Sequence, residues 1–402
     1  MKRLLFLCFT FTATGLAATG LTATDLFADE ASSQPAPQPN VLVTPLSAEN
    51  APASLGELAA SGYSGRENSL LRYGTPETFA ELHGFLSIIA SQSNAPHSHL
   101  NIDLAEAFLS AFAQVNRTIA VYIEFEIQHG DVHLERGFLD WEFVPHVHFQ
   151  AGKFYAPFGN DKLIFKQPFN RLTTTPLVLD NLAFTDIADI GLWLYASHRW
   201  NQVWARADVA VVKGSSGLRD ADWSFDENNA DKPVFGRVQV GGDGTMAHGL
   251  VGVSAAYGKY DDGSHKEWML FGANAQLTLW RFDFLAEIIA RRGQDSTPSD
   301  SCHGQPCAPV RANGVGLYAY LSFHVLQNIS FANDLEAVVR YDESRLTDIN
   351  AFGLATEERR LTLGVRWKPY NHIAIKAEYN LAFSEPVEVH GGGFYASIVA
   401  EF

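Results

Sequence analysis

The sequence predicts an all-β chain, a transmembrane antiparallel β-barrel of about 16 strands. Three observations predict it. Apolar and polar residues alternate with period two through many short segments. Beyond the first 30 residues, no run of about 18 apolar residues could cross a bilayer as a helix. The connections between segments alternate short and long. Hydrophobic residues make up 47% of the 402 and aromatic residues 12%, yet mean hydropathy is close to zero, so the apolar content is dispersed in pieces that suit a sheet.

The chain opens with Lys2 and Arg3, an apolar run from Leu4 to Phe11, and small residues before Asp29 and Glu30. This layout predicts a secretory signal peptide over 1–28, with Ala28 or Ala23 as cleavage positions. Residues 29–77 hold Pro35, Pro37, Pro39, Pro45 and Pro52 among Ala, Ser and Gln. That composition cannot bury a core and reads as a periplasmic linker.

The barrel is expected over 78–402. Its strands are predicted at 78–90, 100–112, 117–128, 133–144, 147–156, 185–197, 202–212, 232–241, 249–260, 267–279, 281–292, 313–325, 329–342, 358–369, 372–384 and 392–402. Many have the roughly 9–11 residues that cross a membrane at a tilt of about 45°. In IAVYIEFEIQ, Ile119, Val121, Ile123, Phe125 and Ile127 share one face, while Tyr122, Glu124, Glu126 and Gln128 share the other. Arg206 with Asp208, Arg281 with Asp283 and Glu287, and Lys376 with Glu378 mark the polar faces of three later strands. In LNIDLAEAFLSAFA the apolar phase slips near Glu106, which calls for a bulge.

Alternation alone also fits a soluble sandwich. Loop parity separates the two. VNR, VPH, SHRWNQ, Trp280 with Arg281, LQN and PYN are short; the intervening connections, such as Ala156 to Phe184 and Lys213 to Asp231, are long. Outer-membrane barrels sort their loops this way, and lipid, which offers no hydrogen-bond partners, forces the sheet to close without an edge. The C-terminal stretch GGFYASIVAEF fits as a last strand paired with the first, with Phe394, Ala396, Ile398, Ala400 and Phe402 toward lipid. GGDGTMAHG is long for a short-side turn.

The net charge of -16 argues against nucleic acid as a partner. Cys302 and Cys307, in CHGQPC, suit a small disulfide-closed loop; two thiols and His303 leave a structural zinc short of a ligand. His97 with His99, His129 with His133, and His146 with His148 invite a metal, but neither two-apart pair shows a third ligand, and no metal or cofactor is predicted. No G-x-S-x-G, H-E-x-x-H or phosphate-cradling motif is present, so no enzyme is expected.

The stretch FLDWEFVPHVHFQAGKFYAPFGNDKLIF, then FNRL and TDIADIGLWLYA, resembles the phosphate-selective porin O and P family and its porin-like relatives. Gly152, Lys153, Phe154, Pro157, Phe158 and Gly159 match its hairpin segment, and Asp189 and Gly191 the opening of its next strand. The resemblance implies a sixteen-stranded barrel in the outer membrane of a Gram-negative bacterium, usually a homotrimer, that passes small solutes; it does not establish phosphate as the solute. It also implies that the third long loop, about 156–184, folds inward. Asp161, Lys162, Lys166, Arg171 and Asp180 are then candidates for a pore constriction, with lysines simply solvated or tying the loop to the wall as the alternative.

Glu124, Glu126, Arg206, Asp208, Arg281, Asp283, Arg366 and Lys376 are expected in the lumen. Along the inward faces acid outnumbers base, which predicts weak or mild cation preference rather than strong anion selectivity. The expected function is passive diffusion of small hydrophilic solutes or ions, with lipid as the surrounding partner. The alternatives are a non-conducting surface-binding barrel and an anion channel.

Overall fold

The computed structural model describes residues 71–402, apart from 76, 95–97, 129–130, 161–165, 183–187, 215–230, 245–246, 260–266, 296–309, 312, 330–331, 347–355 and 384–391. Sixteen long strands form one closed antiparallel sheet. They are β1 Phe79–Ser93, β2 Asn101–Asn116, β3 Ile119–Gln128, β4 Asp131–Val144, β5 Val147–Tyr155, β6 Ala188–Trp200, β7 Val203–Val212 and β8 Val234–Asp243. Then come β9 Ala247–Lys259, β10 Glu267–Leu279, β11 Phe282–Asp295, β12 Gly314–Ile329, β13 Ala332–Leu346, β14 Thr356–Tyr370, β15 Ile373–Ala382 and β16 Gly393–Glu401.

Every strand pairs with its sequence neighbours, and β16 returns to β1 in register from Gly393 opposite Ser93 to Glu401 opposite Phe85. Closure leaves no sheet edge, the condition for a sheet in hydrocarbon. Where β16 runs out, a short strand, Leu71–Gly74, pairs with Phe79–Leu82 of β1. A second short piece, Val310–Arg311, pairs antiparallel with Gln294 and Asp295 at the end of β11.

The bulge expected near Glu106 is present: Ser87 faces Glu106 while Ile88 faces Leu104, so Ala105 is the extra residue. GGDGTMAHG resolves because β8 and β9 run on to Asp243 and back from Ala247, leaving a short connection. Tight turns place non-glycine residues at positive φ, His146 at 68°, Asn201 at 56° and Trp280 at 55°. Pro145 ahead of His146 gives that turn the residue pattern of type II.

The two faces differ sharply. On β9, Val251 and Val253 are 60% and 59% exposed, whereas Ser254 between neighbouring strands is 6% exposed. Val209, Val238, Phe271, Ile288, Leu363 and Ile398 continue the exposed apolar belt around the barrel. Exposed Trp141, Trp200, Trp280, Tyr370 and Phe402 ring the short-turn rim. Tyr257, Tyr341, Tyr379, Phe383 and Phe394 ring the opposite one. Such paired aromatic girdles mark the two membrane interfaces of a barrel.

The interior departs from a simple polar lining. Trp193, Tyr195, Phe235, Trp268, Leu270 and Ile289 point inward and are buried. They pack with Leu172, Val178 and Leu182 from the connection between β5 and β6. Apolar residues on the inner face therefore have a partner, the described part of the loop that enters the hollow.

Candidate channel constriction

The connection between β5 and β6 crosses the barrel interior. Its entry is fixed by the segment Pro157-Phe158-Gly159. Gly159 has φ 59°, and a Cβ there would collide with the Glu287 carboxylate, so glycine allows both the turn and the close approach. The Gly159 N–H donates to Ser254 Oγ at 3.0 Å, and the Asn160 N–H to Glu287 Oε1 at 3.1 Å. Asn160 Nδ2 donates to the Tyr318 hydroxyl at 2.7 Å, and Asn274 Nδ2 donates to Asn160 Oδ1 at 2.7 Å. The loop thus lands on the β9–β12 wall.

It then reaches the other side. Lys166 Nζ donates to Glu124 Oε1 at 2.6 Å and lies 3.8 Å from the Phe108 ring centroid. Glu124 also receives Arg136 through Nε and Nη2, both at 3.0 Å, and the Tyr122 hydroxyl at 2.7 Å. A fully buried carboxylate is tolerable there because its oxygens are saturated by charged donors. Burial pushes the Lys166 pKa down, with Glu124 opposing.

From Lys166 the loop turns back toward β11–β16. Arg171 donates to Asp283 Oδ2 at 2.8 Å and to Glu336 Oε2 at 3.0 Å. Burial works against its charge, but Glu336 and Asp283 outweigh it and raise its pKa. Beyond, the loop backbone is satisfied by wall side chains. Lys376 donates to the Gln167 carbonyl, Arg366 to the Pro168 carbonyl, Arg340 to the Thr174 carbonyl and Arg360 to the Thr175 carbonyl. Glu378 accepts the Thr173 N–H at 2.6 Å and the Thr174 N–H at 3.1 Å; Asp342 accepts the Leu177 N–H at 2.8 Å. A buried loop must place its main-chain polar groups somewhere, and here acidic and basic side chains of the wall supply the partners.

Helix α1, Leu177–Asn181, follows Pro176 and buries Val178 and Leu179 against β12 and β13. Wall residues also pair with one another, and Arg237 reaches the Gly159 carbonyl at 3.4 Å as well. Asp140 accepts from His148 Nδ1, Gln150 Nε2 and the Tyr195 hydroxyl at 2.7, 2.7 and 2.6 Å. Asp208 accepts from Trp193 Nε1, Arg206 Nε and Arg237 Nε at 3.1, 2.9 and 3.1 Å. Below Phe169, Asn170 and Arg171, a cavity of about 250 Å³ opens toward the short-turn rim, with Trp204, Gln276 and Tyr320 in its lining.

Closed 16-strand architecture, loop parity, paired aromatic girdles and an inward loop bonded to both walls define the scaffold. The fold is that of the outer-membrane porins. The outer membrane channel DcaP of Acinetobacter baumannii superimposes with a TM-score of 0.55 at 10% identity, covering 83% of this chain and 100% of that one. The loop L8 deletion mutant of OmpT of Vibrio cholerae gives 0.53 at 14% identity, covering 81% and 100%. An anion-selective porin from Comamonas acidovorans gives 0.53 at 11% identity, covering 81% and 100%. No family model and no curated protein sequence matches the chain.

The residues expected from sequence fall as follows. Lys166 and Arg171 meet carboxylates on opposite walls. Asp161, Lys162, Cys302 and Cys307 lie outside the described residues, as does the side chain of Asp180 on α1. Glu124, Asp208, Arg366 and Lys376 face inward and are buried; Arg206 is partly buried beside Asp208, and Asp283 is part of the loop anchor. Glu126 is half-buried further along β3. Arg281 sits at the β10–β11 turn, donating to the Val325 carbonyl at 3.2 Å. Sequence reasoning missed Asn160, Glu378, Asp342, Arg340 and Arg360 as loop anchors; all but Asn160 stand at inward positions of their strands, which is the signal available.

Proposed function

We propose that this chain is a porin of a Gram-negative outer membrane, passing small hydrophilic solutes or ions passively, without cofactor, catalysis or energy coupling. The single observation that carries the reading is a closed barrel with an apolar belt outside and an inner loop held by charged side chains at its middle. In this reading the short turns face the periplasm, residues 1–28 act as the export signal, and 29–77 as a linker whose last part, Leu71–Gly74, joins the sheet. Association as a trimer belongs to the same proposal, as does the kinship with the phosphate-selective O and P family.

Lys166 and Arg171 form the constriction in this reading. Strong anion selectivity is disfavoured by a specific arrangement: Arg340, Arg360, Arg366 and Lys376 direct donors to loop carbonyls instead of forming a free ladder for anions. The expected lumen is mixed, with weak or mild cation preference. The test is single-channel conductance and reversal potential of the purified, refolded chain in planar bilayers. Stable open steps with a reversal potential near zero or slightly toward cations support the reading; strong anion selectivity overturns the charge assignment.

One observation favours a second reading. The apolar packing of Leu172, Val178 and Leu182 with inward aromatic residues fills part of the hollow. A correctly folded barrel that stays silent in bilayers would make the loop a plug and the protein a surface-binding or structural barrel.

A further inference from the structure

His324 lies on the inner face of β12, near the short-turn rim, just before the irregularity that β12 shows against β13 between His324 and Leu326. Its Nε2 is 2.7 Å from Asp283 Oδ2 on β11, and its Nδ1 is 2.7 Å from Asp334 Oδ1 on β13. A neutral imidazole has one N–H and one lone pair, so it can satisfy one of these carboxylates and opposes the other. The imidazolium donates to both. The side chain is 14% exposed, open to exchange with water.

The same carboxylates hold the loop. Asp283 accepts Arg171, Glu336 accepts both Arg171 and Arg366, and Glu336 Oε1 lies 3.9 Å from His324 Nδ1. Thr278 of β10 donates to Asp283. On β14, Lys368 stands opposite Asp334 in the register; at the β10–β11 turn, the Arg281 carbonyl accepts the His324 N–H at 2.9 Å. Asp283, Asp334 and Glu336 are therefore balanced by Arg171, Arg366 and an imidazolium, with Lys368 and Arg281 at the margin. Guanidiniums on both oxygens of Glu336, Arg171 on Oε2 and Arg366 on Oε1, make this a charge cluster rather than a cation site. Losing the imidazole proton leaves one uncompensated negative charge beside Arg171.

We propose that His324 is a proton-titrated selectivity determinant, whose protonation state sets the charge of the inner mouth beneath the loop. The inference rests on the porin reading. Below its transition the mouth is balanced; above it, the extra negative charge raises local cation concentration and strengthens cation preference.

The test is the reversal potential of the refolded full-length chain in a salt gradient, scanned from about pH 5 to about pH 10, a window that contains imidazole titration. The expected result is a shift toward cation selectivity as pH rises. His324→Gln should remove most of the shift, starting near the high-pH value at the acid end, and His324→Lys should stay near the low-pH value through the imidazole range, Lys368 titrating alike in both. An unchanged pH shift in His324→Gln overturns the proposal. Histidine ¹⁵N NMR of the wild-type chain in micelles provides a measurement independent of conductance and of variant folding. Both His324 ring nitrogens protonated at the acid end, with loss of one proton inside the window, supports the proposal; a neutral single tautomer at the acid end sinks it. A silent bilayer counts against the porin reading alone, and the NMR result then decides this inference.

Discussion

Phe402 closes the barrel against Gly84. The Gly84 N–H donates to the Phe402 carbonyl at 2.7 Å, the Phe402 N–H donates to the Gly84 carbonyl at 2.9 Å, and the Phe402 ring covers the Gly84 Cα. A Cβ at position 84 would stand 2.5 Å from that ring and 2.8 Å from the Phe108 carbonyl oxygen. The ring can swing aside; the carbonyl cannot. Gly84→Val is expected to destabilise the seam by about 1–3 kcal/mol, read as a lower urea midpoint for the micelle-bound barrel, with Phe402→Ala recovering part of the loss.

Val253 stands midway along β9 with its side chain 59% exposed toward the apolar belt. Val253→Arg should cost about 2–4 kcal/mol if that belt meets the middle of the hydrocarbon. Refolding equilibria in lipid vesicles measure it, and Ser254→Arg, on the inner face, is the control expected to disturb conductance more than insertion.

Arg171→Glu would put a third carboxylate between Asp283 and Glu336. The expected outcome is a reversal potential moved toward cations and a larger unitary conductance as the loop leaves that wall. No change in either would mean that Arg171 does not border the conducting path.

Arg340 is fully buried and serves Asp342, the Tyr320 hydroxyl and the Thr174 carbonyl together. Arg340→Met leaves Asp342 with fewer donors; breaking a buried pair in this way costs about 3–5 kcal/mol. Looser loop anchoring should also appear as noisier open-channel current. Thr362→Val removes a hydroxyl that is 3.4 Å from Arg340 and donates to Asn380 Oδ1 at 2.6 Å; losing that one hydrogen bond should cost less, about 1–3 kcal/mol.

Strand placement was legible in the sequence because lipid contact imposes alternation. β3, β5, β7 and β10 fall within two residues of their expected spans. Strand ends were less legible where the ladder rises above the belt. β13 continues through Asp342, Glu343, Ser344 and Arg345, hydrogen-bonded to β14 after its apolar face has stopped. Alternation reports lipid, and backbone pairing does not need it. The loop anchors were the least legible part. Arg171 meets Glu336 across 165 residues and Asn160 meets Glu287 across 127, and several acceptors are main-chain carbonyls, which every residue possesses. The inward aromatic residues also broke the expected polar parity, because Leu172, Val178 and Leu182 give them something to pack on.

The strip Leu71–Gly74 lies along β1 where β16 has ended. Without it, four residues of β1 would offer bare amide and carbonyl groups to any passing β-ribbon. Those four residues thus stitch over the join between the last strand and the first, so a pull on Leu71 would load the place where the cylinder is fastened shut.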